Sequence, residues 1–512
     1  MTSSSSRPDP TAADKGTGGT GNRTATGAGD HATGSTGLII ASIGFLLMLA
    51  ALDQTIVATA LPTIVADLGG LEHLSWVVTA YILASTISAP LYGKLGDLYG
   101  RRTMVFTSVG LFLAGSALAG AAQSMVWLIV SRAIQGLGGG GLFVLALSVV
   151  GDVIPPKERG KVQGLFGAVF SLASVVGPML GGWFVDAFSW HWIFYINLPI
   201  GAGALIAFAA SFRPTGRRVQ HRIDWAGALT LSVALAALTL TTTFGGRSLA
   251  WDSPEILGLI GLTVLSGAAF VFFEARASEP ILPLDLFRNN VFVVTSLIGF
   301  IVGAAMLGAV TFLPIYLQIS RGTAPTISGL MLIPMTAGIL ASSIGGGRYM
   351  SKTGRYKVLP IVGMAVIALG MGLLTTLSAE TGALVFSVEI AIAGFGLGFI
   401  MPVTTTAVQN AVPRERLGTA TAAGLMFRQV GGSVAVAVFG AIFAARMAAG
   451  MATGGGALAG GEGFNIGPQT LAGLPDEARR MIGETVAWAI HPVFLIAAGL
   501  GLAGLVAALF LE

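Results

Sequence analysis

From Leu38 onward the chain repeats one pattern, an apolar run of about twenty residues followed by a short polar break. A helix of that length matches the thickness of a bilayer's hydrocarbon core. The runs lie near 38–61, 74–92, 103–122, 125–149, 161–184, 192–212, 224–244, 255–274, 291–317, 327–349, 358–378, 382–406, 418–445 and 487–510. They predict fourteen transmembrane helices. The breaks are too short for a further domain, except 446–486, a Gly-rich segment with a short helix expected after Pro475. Residues 1–36 are mostly Gly, Ser, Thr and Ala and contain no apolar run, so a disordered tail is expected rather than a signal peptide.

Composition narrows the class. Apolar types make up 54% of the 512 residues and charged types 10%. A soluble chain carries roughly 25% charged residues, so lipid must cover most of this surface. The 73 glycines suit close helix approach in a membrane bundle. No cysteine is present and the five histidines are scattered, which excludes disulfides and disfavours a metal site. The net charge of +4 lies in short loops rather than in a nucleic-acid-binding stripe.

Those loops encode orientation. With the N-terminus in the cytoplasm, eighteen Lys and Arg fall in inside loops and five in outside loops. Such a bias places both termini in the cytoplasm.

The loop after the second run reads Gly93-Lys-Leu-Gly-Asp97-Leu-Tyr-Gly100-Arg101-Arg102. The loop after the tenth reads Gly347-Arg-Tyr-Met-Ser351-Lys-Thr-Gly354-Arg355. The glycine spacing is the same, which points to an internal duplication. Two six-helix halves then leave the seventh and eighth runs over. The expected division is a tail over 1–36, a first half over 37–212, two inserted helices with linkers over 213–290, and a second half over 291–512.

The loop from Gly93 to Arg102 resembles the signature of the major facilitator superfamily. Leu52-Asp53-Gln-Thr-Ile-Val-Ala-Thr-Ala-Leu-Pro62 is similar to a motif of its fourteen-helix drug/proton antiporters. Arg132-Ala-Ile-Gln135-Gly136 resembles the proton-coupling motif, and Gly177-Pro178-Met-Leu-Gly181-Gly182 the antiporter motif. Trp190-His-Trp-Ile-Phe-Tyr-Ile-Asn197-Leu-Pro199 resembles the same branch. Leu98, where the loop signature has a basic residue, and Ser351, in the place of Asp97, depart from the pattern. The resemblance implies an all-α major facilitator fold and a latch of Gly93, Asp97, Gly100 and Arg101. In that latch Asp97 pairs with Arg or caps a helix while the protein faces outward. It also implies a hinge at Gly177, Pro178, Gly181 and Gly182.

No phosphate-binding loop occurs, so the expected energy source is a proton gradient and no cofactor. Ionisable residues inside apolar runs then mark ion paths. Asp53 and Arg132 lie at similar depth, roughly 12 and 10 Å from the outer ends of their helices. They are either a proton site, with Asp53 loading and releasing the proton, or a fixed ion pair. Glu389 lies roughly 10 Å deep in the twelfth run and is a second proton site, a binder of cationic substrate, or a passive packing residue. Arg428 either contacts substrate or tethers a helix C-terminus. Gln135 is assigned to the substrate cavity with Glu389 and Arg428.

The expected function is proton-coupled efflux of hydrophobic or cationic drugs across the inner membrane by a monomer. Its partners are small molecules and lipid, with no nucleic acid. A dedicated exporter of one metabolite, lipid or peptide is the second reading. A non-transporting receptor or scaffold is the third. No clustered catalytic groups suggest an enzyme.

Overall fold

The computed structural model describes residues 30–69, 73–212, 223–246, 248–453 and 475–511. Sixteen helices are described. They are α1 (Asp30–Leu68), α2 (Leu74–Tyr99), α3 (Arg101–Gly120), α4 (Met125–Val153), α5 (Pro156–Ala187), α6 (Trp192–Tyr195), α7 (Asn197–Ser211), α8 (Trp225–Phe244), α9 (Pro254–Glu274), α10 (Asn290–Ile315), α11 (Pro325–Met331), α12 (Ile333–Thr353), α13 (Val358–Leu374), α14 (Ala383–Ala411), α15 (Leu417–Thr453) and α16 (Asp476–Leu509). Helices satisfy every backbone group internally, which a bilayer demands. Among the described residues, thirteen stretches are long and apolar enough to cross a membrane. The expected eleventh span is α13, an apolar helix of 17 residues packed against α14 and α16.

Local chemistry sets the helix starts. Ser124, Asp224, Ser253 and Asn289 each accept a backbone N–H in the first turn of α4, α8, α9 and α10. Gly100 (φ 89°) and Gly354 (φ 68°) lie in the left-handed region that favours glycine, and each ends one copy of the repeated loop.

The helices form two halves, α1–α7 and α10–α16. The fifth long helix of each half packs on the second of the other, α5 on α12 and α15 on α2. This reciprocity is what an internal duplication predicts, and it extends to the close-approach glycines. A Cβ on Gly93 would meet the Gly418 carbonyl oxygen at 2.8 Å, near the start of α15. A Cβ on Gly347 would meet the Gly160 carbonyl oxygen at 2.5 Å, near the start of α5. The left-over pair lies outside the two halves. Helix α8 packs along the seam between α2 and α15, and α9 packs on α8, with Phe270 of α9 joining the same buried cluster.

Two sequence expectations are corrected. The tail was expected to be disordered over 1–36, but Asp30–Thr36 belong to α1. Adding residues to an existing helix costs far less than nucleating one. Residues 1–29 lie outside the described residues. The segment 446–486 was expected to be a loop with a short helix after Pro475; α15 instead continues to Thr453, and the helix that starts after Pro475 is not short but runs on as α16 to Leu509. With 37 residues, α15 is about 55 Å long, against a hydrocarbon core of about 30 Å. The projecting ends hold each other, with the Arg446 guanidinium 3.6 Å from the centre of the Trp488 ring. Residues 454–474 lie outside the described residues.

Candidate functional site

Asp53 stands on α1 and is fully buried. Its Oδ2 accepts a hydrogen bond from Arg132 Nη1 of α4 at 2.6 Å. Its Oδ1 accepts from Gln135 Nε2 of α4 at 2.7 Å and from Asn197 Nδ2 of α7 at 2.9 Å. Ser116 of α3 accepts from Gln135 and Asn197 and donates to the Phe194 carbonyl. Arg132 also donates to the Val77 carbonyl and to Gln135 Oε1, and its guanidinium lies 4.3 Å from the centre of the Tyr81 ring. The carboxylate is therefore held by three donors from two helices. Removing one partner of a buried ion pair costs about 3–5 kcal/mol, so the cluster is stable only as a unit.

Between the halves lies a cavity of about 350 Å³. That volume is at the lower end of the range for small-molecule sites. Its wall is mainly apolar and contains Phe166, Phe170, Met306 and Met426, with Gln54, Gln163, Thr405, Arg428 and Gln429 as polar members. Tyr81 connects this cavity to the Asp53 cluster. Its ring faces Arg132, and its hydroxyl reaches Gly139 on the cavity wall, where a Cβ would meet it at 2.4 Å.

The structure separates the three residues assigned to the cavity. Arg428 lines it, and among the described residues no helix C-terminal carbonyl binds its guanidinium. Gln135 does not line it; both ends of its amide are used inside the Asp53 cluster. Glu389 does not line it either. It is buried on α14, where Thr376 donates to its Oε1 at 3.4 Å and its Oε2 has no partner. Glu389 and the Asp53–Arg132 pair therefore belong to different halves and share no contact.

One end of the bundle carries Lys94, Arg101, Arg102, Arg159 and Arg416 and is called the basic end below. Here Asp97 accepts from the backbone N–H groups of Gly418 (3.0 Å) and Thr419 (2.7 Å) and from the Thr419 hydroxyl (2.8 Å). A residue of the first half thus caps a helix of the second. Arg101 pairs with Asp97 and, at 3.0 Å, with Asp152. Gly93 is the close-approach point that lets α15 reach α2. The second copy of the loop has no acid in the corresponding place. Arg159 ties that side instead, donating to the Gln409 carbonyl at 3.1 Å and to Asn410 Oδ1 at 2.6 Å. The hydrogen bonds joining the halves cluster at this end.

At the expected hinge, α5 presses on the helix that carries Asp53. A Cβ on Gly177 would meet Thr55 Oγ1 at 1.9 Å, and one on Gly181 would meet Thr59 Oγ1 at 2.1 Å and the Ile56 carbonyl oxygen at 2.8 Å. Pro178 stands inside α5. Gly182 meets nothing within 4 Å. The four motif residues therefore divide in use. Gly181→Ala is expected to lose about 1–3 kcal/mol of stability by overpacking. Gly182→Ala should be neutral or gain up to about 1 kcal/mol from helix propensity. Melting curves of the two purified variants check this, and equal melting temperatures would contradict it.

A family model described as the Major Facilitator Superfamily matches residues 43–436, from α1 into α15. The chain belongs to the major facilitator superfamily. Within it, the multidrug transporter protein MdtP of Bacillus subtilis (strain 168) is 44% identical over 406 residues, covering 79% of this chain and 74% of the relative. Multidrug resistance protein 3 of the same organism is 35% identical over 474 residues, covering 90% and 92%. Among solved structures, the human organic anion transporter MFSD10 aligns with a TM-score of 0.63 at 14% identity, covering 92% of this chain and 99% of the other. The proton:xylose symporter XylE aligns with a TM-score of 0.57 at 15% identity, covering 91% and 95%. At these identities the two structures speak for the fold alone. As a major facilitator, the chain is a multi-pass membrane transporter and not an enzyme.

Sequence reasoning missed several residues of this major facilitator's machinery. Ser116 and Tyr81 are ordinary members of apolar helices in a one-dimensional reading. Asn197 was legible as part of a motif but not as a ligand of Asp53. Arg159 was counted as a loop charge, whereas it is buried and bridges the halves.

Proposed function

We propose that the chain exports hydrophobic small molecules across the cytoplasmic membrane in exchange for protons, by alternating access. The observation that carries this reading is the donor-saturated, fully buried Asp53 beside the central cavity. As a carboxylate, Asp53 accepts from three donors at once. A proton on one oxygen turns that oxygen into a donor, and Arg132 cannot accept from it. The cluster must then rearrange. The rearrangement moves α1 against α4, and the close contact at Gly177 and Gly181 passes it to α5. Helix α5 packs on α12 of the second half, so proton binding acts on the relation between the halves.

The Asp97 cap closes the basic end, which supports assigning this arrangement to the outward-facing stage. Of the two substrate properties expected, hydrophobic or cationic, the cavity wall supports the first, because no carboxylate stands among its residues. The reading as a broad drug exporter draws on the multidrug relatives. A dedicated exporter of one compound is the second reading, supported by the 36% identical transporter of the acurin A biosynthesis cluster of Aspergillus aculeatus. A receptor or scaffold has no such support. The test is compound-induced proton flux in vesicles across a panel of unrelated hydrophobic compounds. Flux with many of them supports the broad reading, flux with one class supports the dedicated one, and no flux with any sinks proton exchange.

The Lys and Arg bias supports placing the basic end and both termini in the cytoplasm. A reporter fused after Glu512 should then be active inside, and a tag within 454–474 should be labelled from outside. External labelling of the C-terminal fusion would overturn this orientation.

A further inference from the structure

We infer that the substrate held in the central cavity carries an acidic group, ionised at neutral pH, and that Arg428 is its counter-ion. This rests on the export reading and names the substrate class. The buried arginines among the described residues all have partners. Arg132 is paired with Asp53, Arg101 with Asp97 and Asp152, and Arg159 is spent on carbonyls and Asn410. Arg428 differs. Arg428 lines the cavity, and among the described residues neither an ion pair nor a side-chain hydrogen bond holds its guanidinium. It stands eleven residues beyond Leu417, roughly 16 Å along α15, too far for the side chain to reach the water at the basic end. Asp53 cannot serve as its counter-ion, because both carboxylate oxygens are already occupied by Arg132, Gln135 and Asn197.

The cavity thus carries one uncompensated positive charge and no negative one. An unpaired charge in a low-dielectric site is costly, and a partner arriving with the ligand relieves that cost. Gln429 and Thr405 stand on the same wall as neutral groups that can flank an anion, while Phe170, Met306 and Met426 offer surface to an apolar body. A cationic ligand would meet repulsion from Arg428 with no acid to offset it.

The test uses three probes on one scaffold, 4-(1-pyrenyl)butanoate, its primary amide and the matching primary amine, bound to the purified full-length protein. The butanoate should bind about tenfold more tightly than the amine, as a charge-assisted hydrogen bond allows. Arg428→Gln should lower the butanoate-to-amide ratio by about tenfold. Arg428→Lys should keep most of that ratio, and Arg428→Glu should reverse the order in favour of the amine. The inference is overturned if the wild type binds none of the three. It is overturned equally if the amine binds as tightly as the butanoate, or if Arg428→Gln weakens all three alike. Gradient-driven uptake of the same probes by proteoliposomes separates the two readings. Arg428-dependent butanoate binding without uptake would sink export and leave the anion site. Preferred uptake of the amine would sink the anion site and leave export.

Discussion

Asp53→Asn is expected to reduce gradient-driven efflux to the level of vesicles without the protein, while downhill exchange of substrate persists. Asparagine keeps the shape of the side chain but cannot load or release a proton. Its amide nitrogen also replaces an acceptor where Arg132, Gln135 and Asn197 all point donors. One donor must turn away, and the Arg132 charge loses its partner in a buried site. That defect is expected to cost stability on the scale of a broken buried pair, about 3–5 kcal/mol. The counterflow assay therefore matters as much as the pumping assay, because it shows that the variant folds and binds. Compound-induced proton movement at the wild-type rate, with matched protein levels, would place the coupling elsewhere. Glu389, which has no cation partner, would then be the next residue to test.

The second large effect is expected at the opposite regulatory point. Asp97→Ala removes the cap on α15 and frees Arg101 from one of its two acids. Loss of an N-cap costs about 1 kcal/mol and loss of the ion pair adds to it. One to two kcal/mol changes a two-state ratio by about five- to thirtyfold. The population should move toward a state open at the basic end. The chain has no cysteine, so a single introduced cysteine reports without background. Ala422→Cys is a suitable reporter, since the Ala422 side chain is buried against Gly93 across the seam. Its maleimide labelling should accelerate by about five- to thirtyfold in the Asp97→Ala background. Unchanged labelling would mean that Asp97 holds a local turn and not the closed state.

The spans and the two-fold plan were legible because apolar runs and repeated glycine spacing are properties of a linear pattern. Asp53 and Arg132 were legible for a related reason, as a charge in an apolar run stands out at once. What the pattern does not contain is the identity of a neighbour on another helix. Gln135 lies one turn from Arg132 and was assigned to the cavity, yet its amide turns toward Asp53 of α1 and Ser116 of α3. Tyr81 gave no signal because an aromatic residue in an apolar helix is usually core. The helix ends were misread for a different reason. Between Arg446 and the last apolar run, Gly-rich and charged residues hid how far the helices run: α15 continues to Thr453, and the helix after Pro475 is continuous with the last span. The Arg446–Trp488 contact joins the two ends, and the exposed Arg480–Glu484 pair links successive turns of α16 itself.

The placement of α8 and α9 has a genetic consequence. The end of α7 lies at the basic end, where Arg102 donates to the Ala209 carbonyl. The start of α10 lies there too, where Asn289 donates to the Ala411 carbonyl. The intervening hairpin leaves and returns at one face and packs chiefly along the α2–α15 seam. A pair inserted in this way preserves the handedness and insertion direction of everything downstream. A gene could acquire or discard such a cassette in one step, without inverting the half that follows.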